Sequence, residues 1–171
     1  MNSPYMGDFK VSQRFTEFHN GLDLVGISSK DIHSTVNGVV HYAGWENVND
    51  KKQGFGLYVC IKAVDGNYYY FGHLSQVAVK TGDKVSITDI IGVEGSTGFS
   101  TGSHLHYEVR PEFKKGEYLD VVQISGIKNE CFTTQNDGYK PTAYVIKCPC
   151  CGSIFVKERW RKNGKIFWYV G

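Results

Sequence analysis

A chain of 171 residues is long enough for one well-buried domain plus a small appendage. With 41% hydrophobic and 21% charged residues it is not a disordered segment, and no apolar stretch reaches the ~20 residues that a membrane-spanning helix needs. The net charge of +2 is unevenly spread: residues 128–171 hold eight Lys or Arg against three Asp or Glu, and residues 1–127 hold eleven against fourteen. A basic tail on a mildly acidic body suits contact with an anionic polymer or surface, and equally describes a solvated face. Five cysteines, an odd number with Cys60 isolated in an apolar run, do not make a disulfide framework. They favour synthesis in a reducing compartment. Met1 to Asp8 is polar and contains Pro and Gly, so a soluble protein without its own secretory leader is expected.

In chain order, His19-Asn20-Gly21-Leu22-Asp23 leads toward the β-like pair Leu24-Val25. Val36–Tyr42, Leu57–Ala63 and Asn67–Phe71 are short runs rich in Val, Ile, Tyr and Phe, and Asp65-Gly66 between the last two reads as a hairpin turn. Thr81–Gly92 resembles the sheets of lipoyl or biotinyl carriers, but it has no modifiable lysine in a suitable turn and is read as sheet only. The Gly/Ser/Thr-rich stretch Gly92–Ser103 precedes a further strand, His104–Arg110. Asp120–Ile127 fits either a helical turn or a last strand, and no helix of ten or more residues is expected before residue 120. The polar run Thr133–Pro141 marks a boundary region, after which β-like segments flank Asn163-Gly164. These features predict an all-β, antiparallel, two-layered body, residues 1–127, and a small β-rich basic module, residues 128–171.

Three signals carry chemistry. A His and an Asp four apart, His19 and Asp23, can share a helix face or converge at a turn, and in either case N plus O ligation suits zinc. His104 and His106, at i and i+2 of a strand, point to one face. They can serve as two metal ligands or as one ligand beside one catalytic base. His73, at the end of a strand, gains interest only from this company. His33 in a polar loop and His41 within a strand lack it and read as structural residues. The loop at residues 92–103 has neither the dinucleotide nor the nucleotide-loop spacing, and reads as a flexible segment that lets backbone approach a substrate.

HNGLD, then FGHL, then GSTGFSTGSHLHYEVR, in that order, resemble the lysostaphin-type zinc endopeptidases over roughly residues 9–120. The resemblance implies a twisted antiparallel sheet that forms a substrate groove with one zinc on its floor. It implies His19, Asp23 and His106 as metal ligands, and His104 and His73 as the pair flanking the catalytic water. The implied substrates are peptide stems and cross-bridges of bacterial peptidoglycan. Without a leader, a phage endolysin released by a holin, or a phage particle component, is the expected setting: made in the cytoplasm and acting on the wall.

In the tail, Cys148 and Cys151 form a C-x-x-C knuckle, and with Cys131 and Cys150 they are candidates for a second, structural zinc. The basic and aromatic residues after it, such as Arg159, Trp160, Arg161 and Trp168, can grip anionic wall polymer or form the core and rim of a mini-domain. Three rival readings are a zinc-ribbon-like nucleic-acid binder, a non-catalytic wall-binding relative, and a zinc deacetylase or carboxypeptidase. The first leaves the His/Asp constellation unexplained, so nucleic acid is not an expected partner. The intact ligand pattern opposes the second, and the HxH strand behind a glycine-rich loop favours an endopeptidase over the third.

Overall fold

Alternating apolar residues build a sheet whose two faces do different work. The computed structural model describes residues 2–114 and 116–136, together with the backbone of three strands farther along the chain. Strands β1 (Asp8–Gln13), β2 (Leu22–Gly26), β3 (Asp31–His33), β4 (Gly38–Trp45) and β5 (Leu57–Ala63) come first. They are followed by β6 (Tyr68–Gly72), β7 (Gln76–Val77), β8 (Lys84–Val85), β9 (Ile90–Val93) and β10 (Leu105–Arg110). Helix α1 (Val121–Ser125) and β11 (Thr134–Asn136) complete the body, and β12 (Thr142–Lys147), β13 (Ile154–Lys162) and β14 (Lys165–Val170) form a three-stranded antiparallel sheet of their own.

The large sheet has eight strands in the order β11-β1-β2-β10-β6-β5-β4-β8, and β3-β9-β7 form a second sheet. Leu22 and Leu24 of β2, Leu105, Tyr107 and Val109 of β10, Phe71 of β6, and Val59 and Ile61 of β5 belong to one buried cluster with Ile32 of β3 and Ile91 of β9. The two sheets thus share a core, which is the two-layered all-β architecture the sequence predicts. On the opposite face of the large sheet, Tyr58, Cys60 and Tyr70 pack with Tyr42, Phe55, Tyr68 and Phe113. Strands β5 and β6 therefore bury both faces, and for that reason they read as unbroken apolar runs.

The ambiguous stretch at residues 120–127 resolves as a short helix. The Asp120 side chain accepts from the backbone N–H groups of Val122 and Gln123, and Gly126 closes the C-terminus in the left-handed region at φ 68°. The body also runs past residue 127. Strand β11 pairs with β1, Asn129 exchanges hydrogen bonds with the Phe15 backbone, and the buried Gln135 amide does the same with Lys128. These contacts tie residues 128–136 to the body. Among the described residues no helix is long and apolar enough to cross a membrane.

Glu94, directly after β9, ties this frame to the segment that precedes β10. Its carboxylate, 4% exposed, accepts from Tyr5 Oη (2.6 Å), Gly26 N (2.8 Å), Lys30 Nζ (2.7 Å) and Ser103 Oγ (2.6 Å). Burial alone would raise its pKa, but the hydrogen bonds from Lys30, Ser103, Tyr5 and Gly26 outweigh it and hold the group below its ordinary 4.5. The unfolded chain therefore takes up this proton first as pH falls. The stabilisation is complete above about pH 4.5 and is lost as pH drops through the depressed folded value. Glu94→Gln should flatten the fall in unfolding free energy below that pH, measured by denaturant titration at a series of pH values. An unchanged slope would contradict the assignment.

Candidate metal centre and active site

The site begins with strand register. Strand β2 lies antiparallel to β10 with Asp23 opposite His106 and Leu24 opposite Leu105. Because side chains alternate, the two leucines enter the core while Asp23 and His106 meet on the outer face. His19 reaches the same place from a tight turn, in which it exchanges backbone hydrogen bonds with Thr16. The His19–Asp23 segment is thus a turn entering a strand and not one helix face. Gly21 at its centre has a steric role: a Cβ there would sit 2.8 Å from the His106 ring and 2.7 Å from the Tyr107 carbonyl oxygen.

Among the described residues, His19, Asp23 and His106 form the group that could hold a metal ion, with one donor atom from each lying within 4.8 Å of the others. Asp23 Oδ1 is 3.2 Å from His19 Nε2 and 2.9 Å from His106 Nδ1. The remaining ring nitrogens are occupied: His19 Nδ1–H donates to the Arg14 carbonyl oxygen (2.9 Å), and His106 Nε2–H donates to Glu108 Oε2 (3.1 Å). Each imidazole therefore presents one defined nitrogen toward the carboxylate, as a ligand fixed by outer partners does. Two imidazole nitrogens and a carboxylate oxygen are a donor set that suits zinc.

Burial by itself would raise the Asp23 pKa. Hydrogen bonds from His106 and His19 outweigh it and hold the carboxyl well below its usual range. His106 responds in the opposite sense: burial opposes its charge, but Asp23 and Glu108 on its two nitrogens raise its pKa to about 9.

His104 and His73 stand beside this cluster. His104 Nε2 is 3.6 Å from Asp23 Oδ2, and the His73 and His104 rings meet edge-on with centroids 4.7 Å apart. Both are oriented by carbonyls of the glycine-rich loop: His73 Nδ1–H donates to Thr97 O (2.7 Å) and His104 Nδ1–H to Gly102 O (2.8 Å). That leaves Nε2 of each ring available. Burial, with the charges of His104 and His106, lowers the His73 pKa to about 4, so its imidazole is neutral at neutral pH. His73 has φ 63°, a left-handed conformation that costs a histidine roughly 1–3 kcal/mol and must be held by its surroundings. The holding bonds are His73 N to Phe55 O (2.8 Å) and the link to Thr97.

The loop itself is well anchored. Gly98 N donates to Lys51 O, Phe99 N to Gly54 O and Ser103 Oγ to Glu94. Gly98 and Gly56 approach so closely that a Cβ on either would lie 2.3 Å from the other's nitrogen. Its glycines thus serve close packing and the aiming of two imidazoles, beyond the flexibility expected for them. Sequence reasoning also passed over Glu108, although it lies two residues after His106 on the same strand face, the spacing that singled out the His pair. Glu108 is 2% exposed, and its second oxygen accepts from Arg110 Nε. His33 is buried and donates to Thr88 O (2.7 Å), and the exposed His41 packs against Tyr68 and Phe113, so neither joins the cluster. Cys131 contacts Ser12 O through its thiol at 3.7 Å, while Cys148, Cys150 and Cys151 lie outside the described residues.

This arrangement coincides with a family-level match. The profile of Peptidase family M23 fits residues 17–121, a stretch that contains all five residues of the cluster. The chain belongs to this family, and within it to the lysostaphin type. The glycyl-glycine endopeptidase ALE-1 of Staphylococcus capitis is 31% identical over 132 residues, 74% of this chain and 35% of that protein. The DD-carboxypeptidase/endopeptidase Mpg of Neisseria meningitidis is 35% identical over 92 residues, 54% of this chain and 20% of that protein. The chain thus spans about a third or less of the length of these relatives. Two solved structures share the fold. The catalytic domain of lysostaphin from Staphylococcus simulans has TM-score 0.57 and 27% identity, covering 69% of this chain and 90% of that one. A catalytic-domain mutant of the prophage-encoded M23 protein EnpA from Enterococcus faecalis has TM-score 0.55 and 30% identity, covering 70% and 91%.

If Glu108 fixes the ring of His106, Glu108→Ala should weaken zinc binding about 10–100-fold. Glu108→Gln, whose amide oxygen still accepts from Nε2–H, should recover part of that loss. Competition with a chromophoric chelator measures both, and wild-type affinity in Glu108→Ala would exclude the role.

Proposed function

We propose that this protein is a zinc-dependent endopeptidase that hydrolyses peptide cross-links of bacterial peptidoglycan. The observation that carries the reading is the convergence of His19, Asp23 and His106 on one face, with His104 Nε2 aimed at the same carboxylate. The relatives support the substrate class, since one is a glycyl-glycine endopeptidase and another a DD-carboxypeptidase/endopeptidase.

His19 Nε2, an Asp23 oxygen and His106 Nδ1 would hold the ion. Bound there, zinc supplies Lewis acidity, which lowers the pKa of water toward neutrality and polarises a peptide carbonyl. The chain's own residues supply proton transfer and orientation. With Nδ1 held by Gly102 O, His104 offers the lone pair of Nε2 as general base for water. His73 Nε2 is fixed in the same way by Thr97 O, so it can take part in proton transfer to the leaving amine or in hydrogen bonding to the developing oxyanion. Glu108 and the Arg14 carbonyl keep the rings of His106 and His19 aligned through the reaction.

The setting we propose is phage-mediated lysis, in keeping with the prophage origin given for EnpA. The basic tail would add contact with anionic wall polymer. A second zinc held by Cys131, Cys148, Cys150 and Cys151 remains part of the proposal, and metal analysis reads it as two ions per chain rather than one.

Purified peptidoglycan is the direct substrate for a test. Wild type should release new amino termini, and chelation should abolish release until zinc is restored. His104→Ala and His73→Ala should keep the zinc and lose roughly 10²–10⁴-fold in turnover, whereas His106→Ala should lose both. A zinc-loaded wild type that is inert on several cross-bridge types would refute the enzymatic reading and leave a wall-binding module.

A further inference from the structure

Beyond the metal cluster, the outer face of the large sheet carries further rows of side chains fixed by strand register. Asp23, His106 and Gly72 stand opposite one another across β2, β10 and β6. The next row is Glu108, Tyr70, Cys60 and Tyr42, and the one after it contains Arg110, Tyr68 and Lys62.

That last row is cationic and set among rings. The Arg110 guanidinium lies 4.8 Å from the Tyr118 centroid, 5.0 Å from Tyr70 and 5.6 Å from Phe55. Lys62 Nζ is 5.4 Å from the Tyr68 centroid, and Lys114 Nζ is 5.6 Å from Phe113 and 5.9 Å from Tyr42. Phe113 in turn packs against Tyr68 and Tyr70, so the three cations surround one aromatic patch. Glu108, which already serves His106, also pairs with Arg110. Three cations, Arg110, Lys62 and Lys114, thus share one set of rings. Arg110 uses Nε for Glu108, which leaves the outer nitrogens of its guanidinium fork for another acceptor.

We propose that this patch is a subsite for a carboxylate of the substrate peptide. Arg110 lies four residues beyond His106 along β10, about 13 Å at the rise of an antiparallel strand. An extended peptide covers that distance in about four residues. The bound carboxylate is then borne about three to four residues from the bond that is cut. This rests on the peptidase reading and sharpens it: the favoured substrate is an acidic stem peptide with free carboxylates. An amidated stem or an uncharged polyglycine bridge gains nothing from the patch. Guanidinium and ammonium donors recognise a carboxylate by charge-assisted hydrogen bonds, and the surrounding rings exclude water from one side of them.

The test uses binding and cleavage separately. An uncross-linked stem peptide with free carboxylates and its fully amidated counterpart are each titrated into the zinc-loaded full chain by calorimetry. The acidic peptide should bind about fivefold more tightly, as expected for two or three partly exposed charge pairs. The exposed Lys62 and Lys114 can be replaced without burying a charge or opening a cavity. The Lys62→Gln/Lys114→Gln double variant, which keeps Arg110, should weaken the preference while binding the amidated peptide as wild type does. Equal affinities in wild type, or a preference left undiminished in the double variant, overturn the subsite. Cleavage of cross-linked dimers in the same two forms is then measured. A carboxylate preference in binding with neither dimer cut upholds the subsite and removes the peptidase reading instead.

Discussion

The pairing of β2 with β10 sets the candidate site, because it puts Asp23 directly across from His106. A slip of one residue would carry Asp23 into the core and bring Leu22 or Leu24 to the outer face, since side chains alternate. The register is held by the apolar partners on the inner side, Leu22, Leu24, Leu105, Tyr107 and Val109, all fully buried. The packing that makes the protein fold therefore also fixes the distance between a carboxylate and an imidazole on the other side of the sheet. Rigid strands suit a site whose donor atoms must stay within a few tenths of an ångström.

Around that pair, orientation comes from loops. Two carbonyls of the glycine-rich segment hold His73 and His104 in one tautomer each, and the segment is itself held by Glu94 and by the backbone at Lys51 and Gly54. The positive φ of His73 belongs to the same arrangement, because the conformation that aims the ring is one a histidine adopts only when its neighbours hold it there. Stability and function meet at Glu94: the buried carboxylate that joins the N-terminal segment to β2 also positions the residue before His104.

Much of this was legible in the sequence, for identifiable reasons. His19, Asp23 and His106 stand in spacings with direct geometric meaning, and β4, β5, β6 and β10 have the β-branched and aromatic runs that mark buried strands. Other parts had no local signal. Gln135 and Asn136 do not favour strands, and the segment becomes β11 because β1 offers an edge and Gln135 bonds to Lys128. The tie of residues 128–136 to the body was invisible for that reason: a polar stretch looks like a linker when its hydrogen bonds are tertiary. Glu108 was within reach of the alternation argument, but a glutamate in a strand reads as solvent-facing until the neighbouring histidine is known to need a partner. The choice of Nδ1 on His106 and Nε2 on His19 was beyond sequence, since it follows from which nitrogen Glu108 and the Arg14 carbonyl occupy.

The central claim is that His19, Asp23 and His106 bind one zinc while His104 and His73 stay off it. X-ray absorption at the zinc edge of the singly loaded protein tests it most directly. The account predicts a low-coordinate site with two imidazoles and oxygen donors, unchanged in His104→Ala and His73→Ala and disrupted in His106→Ala. A spectrum that loses an imidazole in His104→Ala while persisting in His106→Ala would contradict it.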